Sequence, residues 1–340
     1  MLKAFENIGY EVESIVGYAK EREQKSRSII EQLERGRQFS FIYSESHTMP
    51  TLLTERHHFP TYPFLDFRIL ARLRGQGIPL GLFYRDVYWR FELYKKVARH
   101  KRAIAIPLYW YDWLRYKQTV DHLFIPSLAM KPHLPSPWLK DLTMLPPGAD
   151  VDAVSSTEPF IKKSHLNLFY VGGVMPPLYD LTPLFEVLHE AEDDVRLTLC
   201  CREKEWNEIS HCYDLPSSVE IVHSSGKELS DYYARADLFC IIRKPDTYLN
   251  FAMPVKIFEA MAYGLPIVIS GGGAAAQLIR DEAVGWTVDS KEAFLSLINR
   301  LREHPEELER KREHVRSKRH EHTWQARAKQ VADTLEKYNK

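Results

Sequence analysis

The stretch from Asn250 to Ser270, NFAMPVKIFEAMAYGLPIVIS, does most to limit what this chain can fold into. Pro254 suits the first turn of a helix, where its missing N–H costs nothing, and Ile257, Phe258, Met261 and Ala262 give the following helix a buried side. Gly264 and Pro266 then end that helix. The chain passes directly into Ile-Val-Ile, an apolar run that reads as a buried strand of a helix-flanked parallel sheet.

The same alternation recurs along the chain. Strand-like runs at Val12 to Gly17, Phe39 to Ser44, Ile78 to Tyr84 and His122 to Pro126 are separated by amphipathic helical patterns, which predicts a doubly wound parallel sheet. A chain of 340 residues is too long for one core and suggests about two domains. The segment from Ser136 to Lys163 reads as the linker, with its Pro-Pro-Gly turn ending the first domain, and a second alternating pattern starts at Leu166. The divisions expected are 1–150, 151–322 and a closing helix over 323–340, after a charged region from Pro305 to Arg319.

The start of the helix near Met253, Pro254 and Val255 offers free backbone N–H groups and a positive dipole end, and Lys256 adds a full charge beside them. Glu259, three residues on, lies on the same face. A carboxylate next to an anion site is repulsive unless it has its own work, and accepting hydrogen bonds from ribose hydroxyls is such work. An ordinary surface Lys–Glu pair has the same spacing.

Here a resemblance enters. PVKIFEAMAYGLPIV resembles the donor-binding motif of family 4 type glycosyltransferases of the GT-B fold, whose E-A-M-A-x-G-x-P run carries the glutamate that binds the nucleotide ribose. Glu259 matches that glutamate. The flanking order is similar too: HLNLFYVGGV as the first strand and glycine turn of the C-terminal domain, VRLTLCCRE as its second strand, ADLFCIIRK before the motif and GGGAAAQLI after the next strand. The likeness is good over 165–340 and looser over 1–150. It implies two Rossmann-like domains facing a cleft, a last helix crossing back onto the N-terminal domain, and transfer of a sugar from a nucleotide diphosphate donor with retention.

The chain also departs from that pattern. Phe251 stands where many members carry a second glutamate, and Gly173 and Tyr179 stand where an arginine and a lysine are usual. Arg202, Arg243 and Lys244, at strand ends, and Lys256 are the candidates to neutralise phosphate instead, since strand C-termini of an open parallel sheet are where ligands bind. Gly172 and Gly173 would allow close backbone approach, and His223 and Ser224 would meet the base. Lys256, Glu259 and Asp86 are the catalytic candidates. In the first domain IPLGLFYRD is a buried strand ending in Arg85 and Asp86, the latter a possible base on an acceptor hydroxyl. Arg85 and Asp86 capping a helix is the competing reading. Ser46 and His47, in the loop SESHT after another strand, are further acceptor-side candidates.

Charge and composition narrow the partners. Lys and Arg outnumber Asp and Glu by 24 to 18 in residues 1–164 and are outnumbered 22 to 28 in the remainder. A positive first half suits an anionic acceptor or membrane surface, and no clustered nucleic-acid motif accompanies it. LYWYDWLRYK, following RHKR, interleaves aromatics with basic residues as an interfacial helix does, although a buried aromatic helix reads the same way. Cys200, Cys201, Cys212 and Cys240 lack metal-ligand spacing and suit a reducing cytosol. Without an 18-residue apolar run or a signal-peptide pattern, the expected place is cytoplasmic, with at most peripheral contact at the inner face of a membrane. Asp150-Val-Asp152 resembles a metal-binding D-x-D but lies in the linker, so neither metal nor cofactor is expected.

LKAFENIGYEVESIVGY reads as the first helix and second strand of a Rossmann-like domain with no first strand before it. Truncation upstream, or a fold that fills that slot differently, is the expectation. The overall reading is a glycosyltransferase using a nucleotide-sugar, UDP-linked by preference, on a glycan or lipid-linked saccharide of the capsule or exopolysaccharide kind in bacteria. A UDP-sugar epimerase of the same fold, or a catalytically weak partner subunit, are the alternatives.

Overall fold

The computed structural model describes residues 1–151, 165–191 and 194–339. It divides into two compact units, Met1–Pro146 with Arg327–Lys340, and Pro147–Ala326.

The first unit runs α1 (Leu2–Asn7), α2 (Ala19–Glu34), β1 (Ile42–Glu45), α3 (Leu65–Arg74), β2 (Leu80–Phe83), α4 (Arg99–Thr119), β3 (His122–Ile125) and β4 (Asp141–Met144). Its four strands are parallel and lie in chain order. Right-handed crossovers that always step in one direction place their helices on one face. That face carries Ile42, Leu80 and Leu82. Ile42 packs with Ile69 and Leu73 of α3, and Tyr84, just past β2, meets Trp113 of α4 at 5.2 Å. The opposite face therefore has to be covered from elsewhere, and both ends of the chain do it. Phe5 of α1 sits 5.6 Å from the rings of Phe41 and Tyr43. From the far end, Leu335 lies so close over Gly81 that a Cβ there would come within 2.8 Å of it. Tyr338 bonds Asp141 at 2.5 Å and His122 at 3.1 Å.

Two sequence expectations need correction here. Val12 to Gly17 forms no strand: the segment carries no regular structure, and the sheet's edge is β1. The segment read as pure linker contains β4, whose Asp141–Met144 pairs with all of β3.

The second unit runs β5 (Leu166–Val171), α5 (Thr182–Glu190), β6 (Val195–Cys200), α6 (Glu203–Ile209), β7 (Val219–Val222), α7 (Leu229–Arg235), β8 (Leu238–Ile241), α8 (Val255–Ala262), β9 (Ile267–Ser270), α9 (Gly273–Asp281), β10 (Gly285–Val288), α10 (Lys291–Glu303), α11 (Pro305–Lys318) and the start of α12 (Trp324–Leu335). All six strands are parallel, in the order β10-β9-β8-β5-β6-β7. This is the doubly wound Rossmann order, and its direction reverses between β5 and β8. Strands buried on both faces must be apolar throughout, and Leu238, Phe239, Cys240, Ile267 and Val268 are all fully buried. The charged region from Pro305 is helix α11, anchored by fully buried Leu308 and Val315. All four cysteines are free; Cys200, Cys201 and Cys240 are buried hydrophobes and Cys212 is exposed.

Candidate functional site

In an open parallel sheet the loops beyond the strand C-termini at the reversal form the ligand-binding crevice. In the second unit these loops follow β5 and β8. Gly172 and Gly173 leave β5, and Arg243 and Lys244 leave β8. A Cβ on Gly173 would stand 2.8 Å from the Tyr179 ring. Two departures from the resembled pattern are thus one feature, because the Tyr179 ring occupies the space that a side chain at 173 would need. Tyr170 donates to the Gly173 carbonyl at 2.5 Å and fixes the turn. Arg243 lies within electrostatic reach of Tyr170, Tyr179 and Asp246, and burial presses its guanidinium below the usual arginine value. Ser270 ties the Arg243 backbone to the end of β9 through both its N–H, at 2.9 Å, and its carbonyl, at 3.0 Å.

Helix α8 follows, with Pro254 as its N-cap rather than inside its first turn. Its expected buried side holds: Ile257, Phe258, Met261 and Ala262 are at most 2% exposed. Gly264, at φ +68°, closes it by donating to the Met261 carbonyl. Met253, just ahead, is buried, whereas Val255 is 41% exposed and leaves the helix start accessible. A helix has no internal partner for its first N–H groups. Across the loop, the Asn250 carbonyl takes the Ala274 N–H at 2.6 Å, so the start of α9 is already capped by the chain itself.

Lys256 and Glu259 project together from α8, with Lys256 Nζ 2.7 Å from Oε2 and 3.0 Å from Oε1 of Glu259. Tyr233 of α7 donates its hydroxyl to Oε2 at 2.9 Å. Cys200 at the end of β6 donates to the Ser224 carbonyl at 3.2 Å, and the Lys256 charge partly offsets the upward push that burial gives its thiol. Ser224 Oγ also reaches Tyr232 at 3.4 Å. Lys256, Glu259, Cys200 and Ser224 therefore gather at one end of the sheet. His223 is held by the Cys201 carbonyl at 2.9 Å. Arg202 is 82% exposed and pairs with Glu205, while Lys244 pairs with Asp180 at 2.7 Å. Phe251 is 3% exposed and packs against Tyr248, an apolar contact where the resembled family has an acid.

On the first unit, the Ser46 hydroxyl accepts the Arg85 N–H at 3.0 Å and joins the ends of β1 and β2. Arg85 pairs with Glu45 at 2.7 Å. Asp86 Oδ1 accepts the Tyr88 N–H at 2.9 Å, an Asx turn just ahead of a single 3₁₀ turn whose N-cap is Val87. His47 accepts the Met49 N–H at 3.1 Å, and burial and the Arg85 charge hold its ring below the usual histidine value. Among the described residues no group of three or more His, Cys, Asp or Glu could hold a metal. Asp150 is exposed, and Asp152 lies outside the described residues.

Residues 166–304 match the family described as glycosyl transferases group 1. Among solved structures, the chain is similar to HepE of Anabaena, solved with UDP, at TM-score 0.63 and 13% identity over 92% of this chain and 82% of that one. A glycosyltransferase of Rickettsia africae superposes at TM-score 0.60 and 11% identity, over 97% and 85%. Sucrose-phosphate synthase of Thermosynechococcus elongatus does so at 0.56 and 15%, over 95% and 80%. Comparison with curated proteins finds no match. The fold is GT-B, and residues 166–304 carry the likeness to glycosyltransferases.

Proposed function

We propose that this chain transfers a sugar from a UDP-sugar to a hydroxyl of a glycan or lipid-linked saccharide, with retention at the anomeric carbon. The observation that carries the reading is the placing of Glu259 and Lys256 on the opening turns of α8, beside the β6 and β7 ends, on a Rossmann sheet. Glu259 holds the ribose hydroxyls. Lys256 and the α8 N–H groups take the diphosphate, and Arg243 stands at the reversal point to share the charge. Stabilising the leaving diphosphate is then the main catalytic contribution, and it calls for no resident metal. His223 and Ser224 would meet the base. On the acceptor side, Asp86, Arg85, Ser46 and His47 would face the incoming hydroxyl. HepE was solved with UDP and UDP-glucose, which supports UDP as the nucleotide tried first.

Calorimetric titration with UDP tests the donor site. Saturable binding is expected, weakened about tenfold or more in Glu259→Ala, in line with loss of hydrogen bonds to a charged group. Absence of binding by UDP, GDP and ADP alike would overturn the reading. Product analysis without acceptor separates transfer from epimerisation.

The acceptor reading includes work at the inner face of a membrane. No helix among the described residues is long and apolar enough to cross one. Helix α4 instead turns Ile104, Trp110 and Leu114 outward, 59%, 38% and 55% exposed. Phe64, also more than half exposed, meets the neighbouring Tyr111 ring at 6.0 Å and extends this surface onto the preceding loop. Residues 95–102 add five Lys and Arg with no acid. Aromatic and aliphatic groups beside cations suit an anionic bilayer surface. The inner side of the same helix holds the loop after β1, through Tyr109 on the Thr48 carbonyl at 2.7 Å and Asp112 on the Thr51 N–H at 2.6 Å.

A further inference from the structure

A carboxylate that is to receive two ribose hydroxyls needs a fixed orientation and free lone pairs. Glu259 has neither by itself. It sits on α8 with its side chain 29% exposed, and its companion Lys256 is 34% exposed. Lys256 now spans both oxygens, yet it is also the cation nearest the start of α8, where an incoming diphosphate would draw it away. Something other than Lys256 has to keep the carboxylate in place at that moment.

We propose that Tyr233 is the positioning residue for the ribose-binding carboxylate, its hydroxyl anchoring Oε2 so that Oε1 remains aimed at the donor while Lys256 moves to phosphate. The inference rests on Glu259 being the ribose ligand. Tyr233 is 3% exposed and donates to Oε2 at 2.9 Å. Its ring is clamped on two sides, stacked on Tyr263 at 4.8 Å and 8° and edge-on to Phe169 of β5 at 4.9 Å and 86°. A ring held in this way cannot follow the carboxylate, so the carboxylate conforms to it. Burial and the facing Glu259 charge push the phenol far above its ordinary range, so Tyr233 keeps its proton and remains a donor. An ionised carboxylate offers about four acceptor sites, enough for Tyr233 and two ribose hydroxyls once Lys256 has left.

The test compares UDP with 2′,3′-dideoxy-UDP by calorimetry on the wild type, Tyr233→Phe and Glu259→Gln. The wild type should prefer UDP. Tyr233→Phe keeps both ring contacts and should bind UDP about tenfold more weakly, a typical cost for a hydrogen bond to a charge, while its affinity for the dideoxy nucleotide changes less than about twofold. Equal losses on the two nucleotides would show that Tyr233 only supports the fold, and no loss on either would show that it does nothing for Glu259; each overturns the proposal. Should Tyr233→Phe fail to fold, Tyr263→Leu removes the stacked ring without touching a hydrogen bond to Glu259, and the same ribose-selective pattern is expected at smaller amplitude. The donor reading fails separately: a wild type that binds both nucleotides equally well removes the ribose role of Glu259, and that of Tyr233 with it. A preference for UDP that disappears in Glu259→Gln but survives intact in Tyr233→Phe sinks the present inference alone.

Discussion

Asp112 of α4 is 6% exposed and has two differently placed carboxylate oxygens. Oδ2 accepts the Thr51 N–H at 2.6 Å, whereas Oδ1 is buried without a hydrogen-bond partner. Burial pushes the carboxyl up to about 7 from an ordinary value near 3.8. With the folded value above the unfolded one, this group's contribution to stability is fully present below about pH 4 and is lost as pH rises through about 7. Asp112→Asn keeps an acceptor for Thr51 and cannot ionise. Urea titrations at pH 4.5 and 7 should therefore show the wild type losing more stability than the variant across that interval, by on the order of 2 kcal/mol; parallel losses would refute the assignment. Residues of this kind divide sharply in how well a sequence announces them. The pairing of Lys256 with Glu259 was legible because their spacing and the run around them are local. Tyr233 was not, since its bond to Glu259 spans 26 positions and Tyr-Tyr on a short helix looks like core. Asp112 was equally hidden, as nothing in YDWLRYK tells which side of the helix Asp112 faces.

Elements were legible where burial on both faces leaves an apolar run, as in β8 and β9, and the run into α8 located that helix within a residue. Expectation failed where the pattern and the pairing disagree. Val12 to Gly17 has strand-forming residues, but β1 is the edge of its sheet and the segment joins no ladder. Conversely Asp141–Met144 has a single acid and three partly buried residues between proline-rich turns, and it becomes β4 only because β3 supplies a partner. Helix α4 was read both as buried and as interfacial, and its burial is divided: Trp113 is fully buried while Trp110 and Leu114 face outward. The outward face yields a prediction at this scale. Cosedimentation with vesicles rich in anionic lipid should retain the wild type and lose most of a Trp110→Asp, Leu114→Asp double variant, with UDP binding by the second unit unchanged. Retention of both, or release of both, would remove the membrane from the proposed function.

At the scale of the whole molecule, the first unit is made from both ends of the chain, Met1–Pro146 and Arg327–Lys340. A chain ended at Ala326 keeps every strand of both sheets but loses fully buried Leu335 and the Tyr338 and Gln330 bonds to Asp141 and Met144. Loss of even one buried leucine side chain costs about 2–5 kcal/mol. Calorimetry should show the transition of the first unit abolished and that of the second retained, with new binding of an apolar dye to the uncovered Tyr43 and Phe124 face. Unchanged melting of both units would contradict the packing described.

That closing segment also sets an order of events during synthesis. Domains emerging from a ribosome generally fold from the N-terminus onward. Here the residues that seal the first sheet are translated about two hundred positions after Met144, whereas residues 147–326 have every contact of their own unit in hand once they emerge. The second unit is expected to be complete first. The first unit must wait, with one face of its sheet open, until α12 arrives.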